Sequence, residues 1–134
     1  MRLKNFARIA LGIFFIAAGL NHFINPAFYL AIMPPWLPWH EALVAASGVA
    51  EMAFGAMVLV RRFALLGGWG LIALCIAVFP ANLHMALNPS LFPQFPSIAL
   101  WLRLPLQIVA IAWIWWCTHN VPSNPPTPSA GARP

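Results

Sequence analysis

The chain has 134 residues, of which 62% are hydrophobic and only 7% carry a charge, whereas about a quarter of the residues of an average soluble domain are charged. This composition excludes an ordinary soluble domain and predicts a membrane protein. The seven basic residues give a formal net charge of +5, but they occur singly or in pairs rather than along one stripe, which argues against a nucleic-acid partner.

The first predicted span covers residues 6–23 and follows a basic segment. A basic start before an apolar run also resembles a signal peptide. Gly12, Gly19 and His22 share one helical face, however, which is typical of a helix that is retained and packs against others. We therefore expect this segment to be the first helix of a bundle.

A short helix is expected next. Asn25 and Pro26 form a typical N-cap and first-position pair, and Pro34-Pro35 should stop the helix. At about eight residues, or roughly 12 Å, it is too short to cross a bilayer. The tryptophans and the tyrosine around it favour the outer membrane interface, where it would act either as a connector that anchors depth or as a lid.

The second predicted span, residues 41–60, holds a lone carboxylate, Glu51, in the middle of an apolar run. A helix of this length extends about 30 Å, the thickness of the hydrocarbon core, so Glu51 should lie near the midplane. A charge there costs about 2.5–3.5 kcal/mol and normally faces protein or water. The residues that share its stripe on a helical wheel are Val44, Ser47, Gly48, Gly55 and Val58. We expect this face to form the bundle interior.

The third predicted span, residues 63–86, contains Pro80, which should kink the helix near its outer end. Asn82 and His84 follow it, separated by about 200° on the helical wheel. A regular helix can therefore turn only one of them toward a given neighbour. His84 shares its side with small residues, and we expect it to face the bundle.

The fourth predicted span, residues 98–117, follows an uncharged, proline-rich loop and carries Arg103 and Gln107 on one face. Residues 120–134 are rich in proline and lack apolar content, which predicts a disordered cytoplasmic tail. The four spans together are predicted to form one transmembrane domain, residues 1–119.

Positive charges predict the orientation of the spans, because Lys and Arg concentrate in cytoplasmic segments. Basic residues precede the first span and form Arg61-Arg62 between the second and third, while residues 23–40 and 85–98 contain no Lys or Arg. The fold class predicted is therefore all-α: an integral membrane four-helix bundle with both termini inside and a short interfacial helix between spans one and two.

Alternating directions place the polar side chains of the spans in one predicted column in the outer half of the bilayer. Its members are His22, Glu51, Asn82, His84, Arg103 and Gln107. The Cα atoms of Glu51 and Gln107 should differ in depth by only about 3 Å, against about 9 Å for Glu51 and Arg103. We therefore expect a Glu51–Gln107 hydrogen bond, with Arg103 compensating the charge directly or through water.

The column has two interpretations. A buried Glu–Arg pair with amide and imidazole neighbours can simply lock helix register. A carboxylate in apolar surroundings is also a candidate for proton exchange or for holding the polar head of a ligand. A haem between His22 and His84 is a third possibility, but two histidines at helix ends are a weak signal. Cys75 and Cys117 stand alone in the sequence, so neither a Cys-x-x-Cys redox centre nor a zinc site is expected.

The segments that hold most of these polar residues are GLNHFINPAFYLAIMPPWLP (residues 19–38), SGVAEMAFGAMVL (47–59), VFPANLHMALN (78–88) and WLRLPLQ (101–107). Together they resemble the DoxX-like family of small four-helix bacterial membrane proteins. The resemblance implies a multi-pass protein of the bacterial cytoplasmic (inner) membrane. It also implies a link to membrane-bound redox and sulfur metabolism, which in this family includes a subunit type associated with thiosulfate:quinone oxidoreduction.

The function implied is that of a non-catalytic accessory subunit of a membrane redox system, whose column fixes the bundle or holds a quinone-like or other lipophilic ligand. Thiol-handling relatives use paired cysteines, which this chain lacks, so thiol chemistry by the protein itself is not expected. The alternative is a stand-alone enzyme or proton-coupled carrier in which Glu51 exchanges protons. The expected partners are the lipid bilayer, a membrane or peripheral redox protein and a second copy of the chain, with no metal.

The topology can be tested with a fluorescent protein that folds only in the cytoplasm. A fusion after Pro134 is expected to fluoresce, and a fusion after Asn88, in the predicted outer loop, is expected to stay dark because the tag is exported. Immunoblotting should show both fusions in similar amounts. Fluorescence from both fusions, or from the Asn88 fusion alone, would contradict the predicted orientation.

Overall fold

A computed structural model describes residues 2–119, which are all-helical and contain no strand. The predicted tail, residues 120–134, lies outside the described residues. In chain order the helices are α1 (Arg2–Ile24), α2 (Pro26–Ala31), α3 (His40–Leu59), α4 (Ala64–Leu87) and α5 (Ser97–Thr118). Short 3-10 turns at Arg61–Phe63 and Pro89–Leu91 complete the connections. The prediction of an all-helical fold with four long helices is confirmed.

The four long helices are each long and apolar enough to cross a membrane. The shortest, α3, has 20 residues, which corresponds to about 30 Å of helix. Much of the apolar side-chain surface points outward; Phe14, Leu106 and Ile108 are 61%, 60% and 70% exposed. Soluble monomers rarely expose apolar patches of this extent, whereas such a surface fits contact with lipid.

The helices pack in a ring. α1 packs along α3, α3 along α4 and α4 along α5, while the contact between α5 and α1 that closes the ring is narrow. We call the end that holds the start of α1 and the end of α5 the terminal end, and the end that holds α2 the loop end. In this order α3 and α5 occupy opposite corners of the bundle.

Two apolar clusters fill the interior. The larger consists of Leu11, Phe15, Val58, Leu71, Ile72, Ile114 and Cys117 and joins the four long helices. The smaller, at the loop end, consists of Met85, Phe92 and Leu100, with Ile32 and Phe95 packed against it. Through this second cluster the connection between α4 and α5 packs against the bundle.

α1 and α3 approach most closely at two pairs of glycines. Gly12 lies against Gly55 and Gly19 against Gly48, so both helices use a spacing of seven residues. A Cβ atom added to Gly19 would stand 2.5 Å from the carbonyl oxygen of Gly48, and one added to Gly48 would stand 2.8 Å from Cβ of His22. Small residues let helix backbones meet in this way, which is how helices associate where lipid surrounds them.

Arg8 fastens the terminal end of the same pair of helices. Its guanidinium donates hydrogen bonds to the carbonyl oxygen of Val58, to that of Leu59 at 2.9 Å and to Oδ1 of Asn5 at 2.9 Å. The last carbonyls of a helix have no partner within the helix and carry its negative dipole end. Arg8 therefore caps α3 from α1, although only 4% of its surface is exposed.

The helix bounds differ from the predicted spans by up to four residues. α1 begins at Arg2 rather than at residue 6, because a helix continues past its apolar segment where no residue breaks it. α2 has six residues instead of about eight. Asn25 takes its N-cap position but makes no side-chain cap. α4 runs unbroken through Pro80.

The glycine contact predicts a clear difference between two matched substitutions in α1. Gly19→Val should lower the free energy of unfolding by about 1–3 kcal/mol, because the added side chain must displace the α3 backbone. Ala17→Val adds the same kind of bulk at an exposed position and should change it by no more than about 0.5 kcal/mol. Thermal or denaturant unfolding in detergent measures both, and equal effects would contradict the close approach.

Candidate functional site

A largely buried contact between two ionisable side chains joins His22 of α1 to Glu51 of α3. Nε2 of His22 lies 3.5 Å from Oε2 of Glu51, with 7% and 14% of the two side chains exposed. Within residues 2–119 this is the only basic and acidic side-chain pair within 4 Å. Both residues belong to the predicted column, but the partners expected for Glu51 were Gln107 and Arg103.

The glycine contact explains why these two side chains meet. His22 lies one turn beyond Gly19, and Glu51 one turn beyond Gly48. Helical side chains lean toward the N-terminus of their own helix. Since α1 and α3 run in opposite directions, the two side chains lean toward each other across the glycine pair.

The hydrogen bonds of His22 determine where its protons lie. Nδ1 is 3.0 Å from the carbonyl oxygen of Val44 and 3.4 Å from Oγ of Ser47. A carbonyl oxygen only accepts, so we assign a hydrogen to Nδ1. Nε2 then carries a second hydrogen only when the ring is an imidazolium. The contact with Glu51 is therefore an ion pair only when Nε2 is protonated and the carboxyl group is ionised.

Oε2 of Glu51 remains without a hydrogen-bond partner among residues 2–119, although it is buried. The 3.5 Å separation from Nε2 exceeds the usual length of an N–H···O hydrogen bond. Buried polar atoms are nearly always paired, because an unpaired one loses its hydration without compensation. Oε2 therefore has an unused capacity to form a hydrogen bond.

Tyr29 of α2 holds the imidazole from the other side. Its ring stacks on that of His22, with centroids 3.7 Å apart and planes 23° from parallel. The Tyr29 hydroxyl accepts a hydrogen bond of 2.9 Å from Nδ2 of Asn21, and Asn25 donates to Oδ1 of Asn21 at 2.7 Å. From the sequence, Tyr29 was expected at the membrane interface, and its contact with His22 was not predicted. The feature of the sequence that indicated this contact was the helix break at Asn25, which folds α2 back over the end of α1.

A second polar group joins α4 to α5. Asn82 donates to Oε1 of Gln107 at 3.0 Å, and Nε2 of Gln107 donates to the carbonyl oxygen of Cys75. The expected Glu51–Gln107 hydrogen bond is therefore not formed, because α3 and α5 lie at opposite corners and Gln107 is used by α4. Asn82, rather than the expected His84, is the residue of its turn that reaches another helix.

The two remaining predicted site residues lie at the loop end. Nη1 of Arg103 is 3.5 Å from Sδ of Met85, and no carboxylate of the described chain lies within 4 Å of its guanidinium. His84 has Nδ1 3.2 Å from Nδ2 of Asn88 and stands edge-on to the ring of Phe92. In this arrangement Arg103 does not directly compensate the charge of Glu51.

The described residues also show how the ligand-type side chains are distributed. Across residues 2–119, no three His, Cys, Asp or Glu side chains gather as a metal site requires. Cys75 and Cys117 are both free. His22 and His84, considered above for a haem, contact different neighbours: Val44 and Tyr29 in one case, and Asn88 and Phe92 in the other.

Comparison with known proteins gives one match. Residues 11–118 match the family described as Domain of unknown function (DUF8561), and this range includes every polar residue of the predicted column. No curated protein and no solved structure matches the chain.

Double-mutant cycles can distinguish the observed pair from the predicted one. His22→Phe and Glu51→Gln should show an interaction free energy of about 0.5–3 kcal/mol in unfolding experiments in detergent, because the two side chains contact each other in a buried position. Glu51→Gln and Arg103→Leu should be additive within about 0.5 kcal/mol, because the two residues have no common partner. Additivity in the first cycle, or coupling only in the second, would contradict the pairing described here.

Proposed function

The chain belongs to the DUF8561 family, and we propose that it is an integral membrane protein whose His22–Glu51 pair holds the polar head of a lipophilic ligand. In this proposal the protein is a DoxX-like accessory subunit of a membrane redox system rather than an enzyme on its own. The observation that carries the proposal is the buried Oε2 of Glu51, which has no hydrogen-bond partner among the described residues.

Membrane insertion is supported by the four apolar helices and by the outward-facing apolar side chains. Glu51 is the twelfth of the 20 residues of α3, so a spanning α3 puts the pair near the bilayer midplane. Ionisable groups at that depth usually mark a path or a binding site. The distribution of Lys and Arg supports an orientation with the terminal end in the cytoplasm of a bacterial cell.

The chemistry of the pair suits a head group that both accepts and donates hydrogen bonds. When Glu51 is a carboxylic acid, the site can donate to a carbonyl oxygen of a quinone. With the carboxylate free, it can accept from a hydroxyl of the corresponding quinol. A single proton shift thus adapts the site to both redox states, and a lipophilic tail would lie among the apolar side chains around the bundle.

Electron transfer is assigned in this proposal to a partner protein. The two cysteines of the chain lie on different helices, α4 and α5, and both are free. The motifs that resemble the DoxX-like family carry His22 and Glu51, which supports a place in a quinone-linked complex. A redox protein that copurifies with the chain in mild detergent would support the accessory role.

A second function, proton-coupled transport or turnover, is favoured by the same contact between two ionisable side chains. In that case Glu51 would exchange its proton with His22 during each cycle. Purified protein reconstituted in vesicles containing a pH-sensitive dye would then move protons without a partner. The same vesicles with Glu51→Gln should lose this activity.

Ligand binding provides the direct test. We expect a short-chain quinone to quench the tryptophan fluorescence of the purified protein saturably, with the affinity lowered about tenfold or more by Glu51→Gln, since a charge-assisted hydrogen bond contributes about 1.5–3 kcal/mol. Gln107→Leu removes a polar group from the other pair of helices and should leave the affinity unchanged. Circular dichroism verifies that each variant is folded. Equal affinity in Glu51→Gln and wild type would contradict the proposed site.

A further inference from the structure

Arg103 is a charged side chain for which the described chain provides only weak partners. Its Nη1 approaches Sδ of Met85 at 3.5 Å, and its Cζ lies 5.6 Å from the ring centre of Phe95. A guanidinium has five N–H donors. A thioether is a weak acceptor and an aromatic ring attracts only the charge, so most of these donors lack a strong acceptor within residues 2–119.

Residues 2–119 place no carboxylate near Arg103. The whole sequence contains two acidic residues, Glu41 and Glu51. Glu51 contacts His22 on the other side of the ring of helices, and within residues 2–119 no carboxylate lies within 4 Å of Arg103. No carboxylate among residues 2–119 therefore compensates the charge of Arg103.

Arg8, which joins α1 to the end of α3, provides a comparison for Arg103. Its guanidinium meets two carbonyl oxygens and an amide oxygen, and the side chain is buried. Arg103 is half-buried and meets no oxygen acceptor among the hydrogen bonds of the described residues. Unlike Arg8, Arg103 therefore keeps donors available for an external ligand.

The position of Arg103 indicates the level at which that ligand lies. It is the seventh residue of α5, about 9 Å along the helix from its start at the loop end. Helical side chains lean toward the N-terminus, and arginine extends its charge to the membrane interface from such depths. Phe95 and Met85 belong to or pack on the smaller apolar cluster, where Met85 is fully buried, so they give the guanidinium a fixed support.

We propose that Arg103 binds a phosphate-type oxyanion at the loop end of the bundle, carried either by a phospholipid head group or by free phosphate. Guanidinium and phosphate oxygens form paired, charge-assisted hydrogen bonds. The proposal requires a membrane-inserted bundle but is independent of any ligand at Glu51.

Chemical footprinting of the wild-type protein tests this proposal. Phenylglyoxal modifies accessible guanidinium groups, and mass spectrometry can measure its reaction at Arg103 in neutral detergent, with added phosphatidylglycerol, or with inorganic phosphate. We expect a several-fold protection of Arg103, larger than that of Arg62, an exposed arginine at the terminal end. Protection by the lipid alone identifies a head-group site, and protection by inorganic phosphate identifies a free-anion site. No protection, or equal protection of Arg62, would overturn the proposal.

Variants provide a second measurement. Added phosphatidylglycerol or phosphate, whichever protects Arg103, should raise the melting temperature of the wild type and of Arg62→Gln. The rise should vanish in Arg103→Gln and be smaller in Arg103→Lys, because lysine keeps the charge but cannot form the paired hydrogen bonds. An unchanged rise in Arg103→Gln would overturn the proposal. If this variant does not fold, the footprint of the wild type decides the question.

Discussion

The contact between Gly19 and Gly48 is the constraint from which the arrangement of this bundle follows. In a membrane, lipid tails solvate apolar side chains as well as a neighbouring helix does, so helices associate through close packing and polar contacts. Here the absence of two Cβ atoms allows the backbones of α1 and α3 to meet. The same contact sets the relative height of the helices and thereby brings His22 and Glu51 together, so the candidate site depends on two residues that carry no functional group.

The order of helices around the ring then divides the polar residues into separate groups. α3 lies between α1 and α4, which leaves α5 at the opposite corner. Glu51 therefore contacts His22 of α1. The side-chain amide of Gln107 instead forms hydrogen bonds with Asn82 and with the carbonyl oxygen of Cys75, both in α4. A hydrogen bond inside the bundle requires adjacent helices, because a helix diameter of about 10 Å separates elements that are not neighbours.

Much of this structure was predictable from the sequence, since apolar runs of sufficient length define the helices and counting along each helix gives depth. The central position of Glu51 in α3 was obtained in that way. The depth of a residue does not show which helices are neighbours, however. Glu51 and Gln107 were expected to bond because their depths match, but α3 and α5 are not adjacent in the bundle. The matched spacing of Gly12 and Gly19 with Gly48 and Gly55 was the signal that pairs α1 with α3. The stacking of Tyr29 on His22 depends on how α2 folds back, which no periodic pattern specifies.

The distribution of satisfied and unsatisfied polar groups separates structural residues from candidate binding residues. Arg8 donates to backbone oxygens of α3, and Gln107 both accepts from Asn82 and donates to the Cys75 carbonyl oxygen of α4; each residue thereby links one helix to its neighbour. Within residues 2–119, Oε2 of Glu51 has no hydrogen-bond partner and the guanidinium of Arg103 has no oxygen acceptor. An apolar surrounding makes an unpaired polar group more costly than water would. Oε2 of Glu51 and the guanidinium of Arg103 lie on different pairs of helices, and for this reason we propose two separate places where an external group binds.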